Sequence, residues 1–155
     1  MDLSKFATQE KSDIGVWTPV ILYGNPCDFD LLILGDDADA VQKHGRKSLK
    51  KLKAAMTGGT KNDPSELNDE TIDELTDSDN EAVLVRIAGI RGWKIERKGS
   101  KVINREEEPV TLNGKEIKND TESYKLLIQN IPALKDFVFK VSRDRTNFLS
   151  GPSRN

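Results

Sequence analysis

The sequence predicts an α+β domain: a small antiparallel sheet or pair of hairpins, several helices, and a C-terminal helical pair. Three observations carry that expectation. In "GVWTPVILYGNPCDFDLLILG", Gly15 to Gly35, β-branched and aromatic residues flank the turn cluster "GNPCD". Asn113-Gly114 stands between "VTL" and "KEI", the strongest hairpin signal in the chain. Apolar residues then recur at helical spacing through "TESYKLLIQNIPALKDFVFKVSRDRTNF".

Taken in order, residues 1–15 mix charges with scattered apolar side chains and read as a flexible N-terminus without the apolar run of a signal peptide. Gly15 to Gly35 reads as two strands, with Pro19 implying that the first is an edge strand or starts late. "DDAD", Asp36 to Asp39, supplies side chains able to cap a following helix. In that helix Val41, Gly45, Leu49, Leu52 and Met56 share one stripe, while Lys43, Arg46, Lys47, Lys50, Lys51 and Lys53 fill the other faces. An acidic linker, residues 57–81, follows; from Asp63 to Glu81 it holds nine carboxylates and no base and reads as a short, marginal acidic helix or a disordered linker, opposite in charge to the basic helix. Glu81 to about Ile90 is apolar enough to predict a buried helix ended by Gly92. Short strands are expected next, including the Asn113-Gly114 hairpin. Asn119 with Glu122 has the form of a capping box, Pro132 opens a last helix running to about Phe148, and residues 150–155 read as a flexible tail. Residues 16–149 thus form one domain, as expected for a chain of 155 residues.

Composition narrows the function classes. One cysteine, Cys27, excludes an intramolecular disulfide and a thiolate-rich zinc site and fits a reducing compartment. Cys27 and His44 are the only residues for a histidine-assisted thiol, and nothing in their spacing places base beside nucleophile or supplies a third, orienting group. A calcium loop begun at Asp77 would need glycine and glutamate where Ala82 and Ala88 stand. The residues therefore predict no active site, cofactor or metal. A net charge of −2 gives no global attraction to nucleic acid; "KHGRKSLKKLK" is basic but lacks the interleaved aromatics on which bases stack. No stretch has the length and apolarity of a membrane span.

The order of motifs resembles that of the tail assembly chaperones of long-tailed bacteriophages, small proteins encoded between the tail tube and tape measure genes. The matching residues are Asn25-Pro26 in the strand-rich opening, Gly35-Asp36-Asp37-Ala38 leading into a helix, Gly92-Trp93 ending a short helix, Asn113-Gly114, a helical pair containing Pro132, and Arg145-Thr146-Asn147-Phe148. Gly99 to Glu108 reads as an insertion. The resemblance implies a non-enzymatic protein of the host cytoplasm that keeps tape measure or tail tube protein soluble until the tail assembles, with homo-oligomers possible.

A chaperone of this kind buries its client's apolar stripe against one of its own. The expected client surface lies on the C-terminal helices: Tyr124, Leu127, Leu134, Phe137, Val141 and Phe148 belong to an apolar set larger than one side of a short hairpin can cover, and Arg145 offers a guanidinium either to a partner's carboxylate or to the helix dipole. Each of the apolar ones also fits the domain's own core, as do Trp17 and Trp93. Two other classes are kept alongside: a structural virion protein of the tail or head-tail connector, and a nucleic-acid-binding regulator acting through the basic helix.

Overall fold

The computed structural model describes residues 2–58 and 79–149. Its element order is a 3-10 turn (Ser4–Phe6), α1 (Gln9–Ile14), β1 (Val16–Leu22), β2 (Asn25–Ile33), α2 (Asp39–Gly58) and helical residues 79–84, called α3. There follow β3 (Ile87–Lys98), β4 (Lys101–Glu107), β5 (Thr111–Leu112), β6 (Lys115–Glu116), α4 (Thr121–Asn130), α5 (Ala133–Arg143) and a 3-10 turn (Arg145–Phe148). The architecture is α+β. Four antiparallel strands form a meander in the order β1-β2-β3-β4, with β5 and β6 a separate hairpin. Helices α4 and α5 pack together, and α5 lies on β1 and β2.

Each turn has a local cause. Tyr23 and Gly24 both take positive φ, 53° and 76°, the pair of values a two-residue hairpin needs to match the strand twist. Of the expected "GNPCD" cluster only Gly24 lies in the turn, and Asn25 and Pro26 already pair within β2. Pro19 lies in β1, an edge strand, where a missing N–H costs no ladder bond. Asn113 and Gly114, at φ 51° and 78°, close β5 on β6.

The largest departure from expectation is β3. The predicted helix over Glu81 to Ile90 stops after residue 84, and Ile87–Lys98 is the third strand. β-branched Val83, Val85, Ile87 and Ile90 lower helix preference, as do Gly89 and Gly92, and from Gly89 onward the residues alternate between sheet faces. Gly92 ends no helix. A Cβ there would meet Glu108 O at 2.3 Å and Val110 Cγ2 at 2.7 Å, so its bare backbone is what lets the chain after β4 cross β3. The segment read as an insertion, Gly99 to Glu108, supplies the turn at Gly99 (φ 65°) and all of edge strand β4.

The N-terminal stretch expected to be flexible carries a 3-10 turn and α1. Ser12 is buried, and Asp13 Oδ1 accepts from Asp39 N at 2.7 Å, capping α2 from outside. The capping box is shifted by one residue. Asp120 caps α4 through Ser123 N at 2.7 Å, while Asn119 Oδ1 accepts from Ile90 N at 2.7 Å and Tyr124 Oη at 3.0 Å, tying the helix to β3. Helix α5 starts after Pro132, as expected, and ends at Arg143 rather than Phe148. Of the acidic linker, residues 59–78 lie outside the described residues, as do residues 150–155.

The core lies between one sheet face and the C-terminal helices. It joins Val20, Phe29, Leu31, Ile33, Ile87 and Ile90 of the sheet to Tyr124, Leu127, Ile128, Leu134 and Val138 of α4 and α5. Among the described residues, no helix is long and apolar enough to cross a membrane.

Candidate partner-binding face

Of the seven residues expected to meet a client, four are interior. Leu134 and Phe148 are 0% exposed, Leu127 2% and Tyr124 6%; burial raises the pKa of the Tyr124 hydroxyl, assisted by the nearby Asp120 charge. Phe137 and Val141 are half-buried against the same core. The expectation of an exposed stripe on α4 and α5 is thereby corrected. The estimate of excess apolar area rested on a short hairpin. With β3 in the sheet the inner face is wide enough to cover both helices.

Arg145 and Phe148 form a clasp with the turn after β2. Arg145 Nε and Nη2 donate to Asp37 Oδ2 and Oδ1 at 2.9 and 3.0 Å, and Thr8 Oγ1 donates to Asp37 Oδ2. The Arg145 guanidinium, and then Thr8, hold the Asp37 carboxyl below the usual carboxylate range. Phe148 packs under Gly35, where a Cβ would stand 3.0 Å from its ring. Beside it Arg86 Nε donates to Asp36 Oδ1 at 3.1 Å, and Ser142 Oγ lies 2.9 Å from the same oxygen. Asp36 and Asp37, read as helix caps, thus receive arginines distant in sequence. The Gly35-Asp36-Asp37-Ala38 and Arg145-Thr146-Asn147-Phe148 segments meet in space.

The remaining candidates stay apart. His44 Nε2 lies 3.3 Å from Ser48 Oγ one turn along α2, whereas Cys27 Sγ on β2 lies 3.7 Å from Asn25 O. Neither contact joins thiol to imidazole. Among the described residues, no group of three or more His, Cys, Asp or Glu could hold a metal ion.

A different surface stands out on the outer face of the sheet. Cross-strand register sets Trp17 beside Leu32, Pro19 beside Asp30, Asp30 beside Arg91, and Ile95 beside Arg105, so all share the face turned away from the core. Asp30 is only 5% exposed although it faces outward. Its Oδ2 accepts from Arg91 Nε and Trp93 Nε1, both at 2.9 Å, and from Arg105 Nη2 at 3.3 Å. Around this carboxylate, rings and guanidinium groups alternate. Arg91 Cζ is 4.2 Å from the Trp17 ring centre and 5.3 Å from that of Trp93, and Arg105 Cζ is 3.8 Å from Trp93. Such contacts are each worth ~0.5–1 kcal/mol at exposed sites, so the ladder rests more on the charged hydrogen bonds to Asp30. Gly89 makes room for the indole: a Cβ there would lie 3.0 Å from Trp17 Cη2.

The ladder is held by hydrogen bonds yet reachable. Trp17 remains 40% exposed and Ile21 53%, and Leu32, Trp93 and Ile95 are half-buried. Arg97 pairs with Asp28 at the margin, Nη1 to Oδ2 at 3.2 Å. An aromatic and apolar centre with a charged rim is the makeup of protein-binding surfaces. Reading Trp17 and Trp93 as core anchors missed this face; once β3 is read as a strand, the outward alternation of Arg91, Trp93 and Ile95 marks it.

No family model, curated protein or solved structure matches this chain.

Proposed function

We propose that this chain is a non-enzymatic binding protein of bacteriophage tail assembly, a chaperone in the host cytoplasm that holds tape measure or tail tube protein in a soluble state, and that its client docks on the outer face of the sheet. One observation carries the proposal. A half-exposed ladder of Trp17, Arg91, Trp93 and Arg105 is fixed over a buried carboxylate on a sheet whose other face is already covered by helices. A sheet layered on one side offers its second side to a helix, and an amphipathic client helix has an apolar stripe to lay across it. Trp17, Leu32 and Ile95 would meet that stripe, with Arg105 and the Arg97–Asp28 pair at its margin.

The motif order supports the tail assembly reading, and the clasp gives that order a physical basis. Two segments more than a hundred residues apart must both be present for Asp37 to find Arg145 and for Gly35 to seat Phe148.

The test is co-expression with overlapping fragments of the adjacent tape measure and tail tube genes, scoring soluble yield with and without this chain. At least one fragment should gain solubility, and Trp17→Ala should lose that gain while leaving the chain itself soluble. No gain for any fragment contradicts the reading. Finding the chain at ring-like copy number in purified particles favours a virion component instead.

A further inference from the structure

Helix α2 carries a second surface, distinct from the sheet face proposed to meet the client. Its sequence holds the bases Lys43, Arg46, Lys47, Lys50, Lys51 and Lys53 against one acid, Asp39. The start of the helix is seated on the body: Ala38 and Val41 are buried, and Asp13 of α1 accepts from Asp39 N. Residues 49–54, by contrast, are exposed on every side, so this part of the helix stands clear of the fold. Counted at about 100° per residue from Val41, which faces the body, Leu52 and Leu49 fall at about 20° and 80°. Arg46 falls at about 140°, Lys50 at about 180°, Lys43 at about 200°, Lys47 at about 240° and Lys51 at about 280°. The leucines therefore turn towards the side the body occupies, and the bases fill the opposite arc. Lys43 pairs with Asp39 at 3.1 Å, one turn back. Arg46, Lys47, Lys50 and Lys51 are exposed and have no acidic partner among the described residues.

Charge and shape together select an occupant. A second copy of the chain is disfavoured, since two such arcs repel. Single-stranded nucleic acid needs rings on which its bases stack, and α2 has none beyond His44. A flat anionic membrane meets only the middle of the arc, because Arg46 and Lys51 stand about 140° apart around the helix. A groove walled by phosphates meets the whole arc. With its side chains an α-helix is about 10–12 Å across, which matches the major groove of duplex DNA at about 12 Å. Lys43 to Lys50 span about 10 Å along the axis, a length over which a duplex presents several phosphates. We infer that the outward arc of α2, formed by Lys43, Arg46, Lys47, Lys50 and Lys51, is a docking surface for duplex DNA, held through the phosphate backbone without regard to base sequence.

Fluorescence anisotropy of a short labelled duplex, titrated with the intact protein, tests the assignment. Five phosphate contacts predict a slope of log affinity against log salt of about −4 to −5, a loss of about 500-fold between about 50 and 200 mM salt. The Lys43→Gln, Lys47→Gln, Lys50→Gln triple variant should bind at least about tenfold more weakly at about 100 mM salt and flatten the slope by about 3. Two control variants, Lys115→Gln with Lys118→Gln and Leu49→Ser with Leu52→Ser, should each keep the affinity within about twofold. Lysine acetylation footprinting reads the same contact on the unmodified protein. Duplex should protect Lys43, Lys47 and Lys50 at least about threefold and leave Lys115 and Lys118 reactive. Four results would overturn the inference: no salt-dependent binding at about 50 mM salt, equal losses in the α2 and control variants, single strands bound as tightly as duplex, or tighter binding per phosphate to phosphatidylglycerol vesicles. Displacement of the duplex by polyglutamate at equal charge concentration would also reject it, by making an acidic protein the preferred occupant.

Discussion

Asp30 is where sequence and function meet at the smallest scale. A carboxylate on an exposed sheet face is ordinarily solvated, yet here one oxygen receives three donors, and the aromatic ladder depends on it. Asp30→Asn keeps the shape and removes the charge. It should lower stability by about 1–3 kcal/mol in urea unfolding and redshift the tryptophan emission as Trp93 loosens. The glycines give a second, sharper comparison. Gly92→Ala places a methyl against the Glu108 carbonyl, a backbone atom that cannot rotate aside, and should cost ~1–3 kcal/mol or more. Gly45→Ala meets open space on an exposed helix and should stabilise by about 0.5–1 kcal/mol. Equal effects of the two substitutions would contradict the close crossing at β3.

At the level of elements, the clasp between the turn after β2 and the C-terminal 3-10 turn predicts a pH dependence. The folded Asp37 carboxyl titrates below its unfolded value, so the ion pair stabilises the fold above the ordinary aspartate range, and the gain is lost as pH falls through the lowered value. Thermal melts should show Arg145→Gln less stable than the wild type near neutral pH, with the difference closing in acid; a difference that grew in acid would contradict the clasp. The sequence made some elements legible and hid others for identifiable reasons. Of the two readings Pro19 allowed, edge strand or late start, the edge holds; Asn113-Gly114 marked its turn, and the basic helix and the helical pair were written in apolar spacing. β3 was hidden because its first residues continue an apolar helical run and its alternation starts only at Gly89. That single misreading narrowed the sheet, left the helices over-supplied with apolar side chains, and put the expected client surface on α4 and α5. The bonds of Asp36 to Arg86 and of Asp37 to Arg145 had no local signature, since each partner lies 50 or more residues away.

Across the whole molecule the two sheet faces differ: the inner one closes the core over α4 and α5, and the outer one is the face proposed to meet a partner. Hydroxyl-radical footprinting, read residue by residue with and without a solubilised tape measure or tail tube fragment, measures that division on the unmodified protein. Oxidation of Trp17 and Trp93 should fall at least about threefold on client addition, in line with burial of aromatic anchors at an interface, while Phe137 and Val141 stay unchanged. Protection of Phe137 and Val141 with Trp17 left fully reactive would contradict the account.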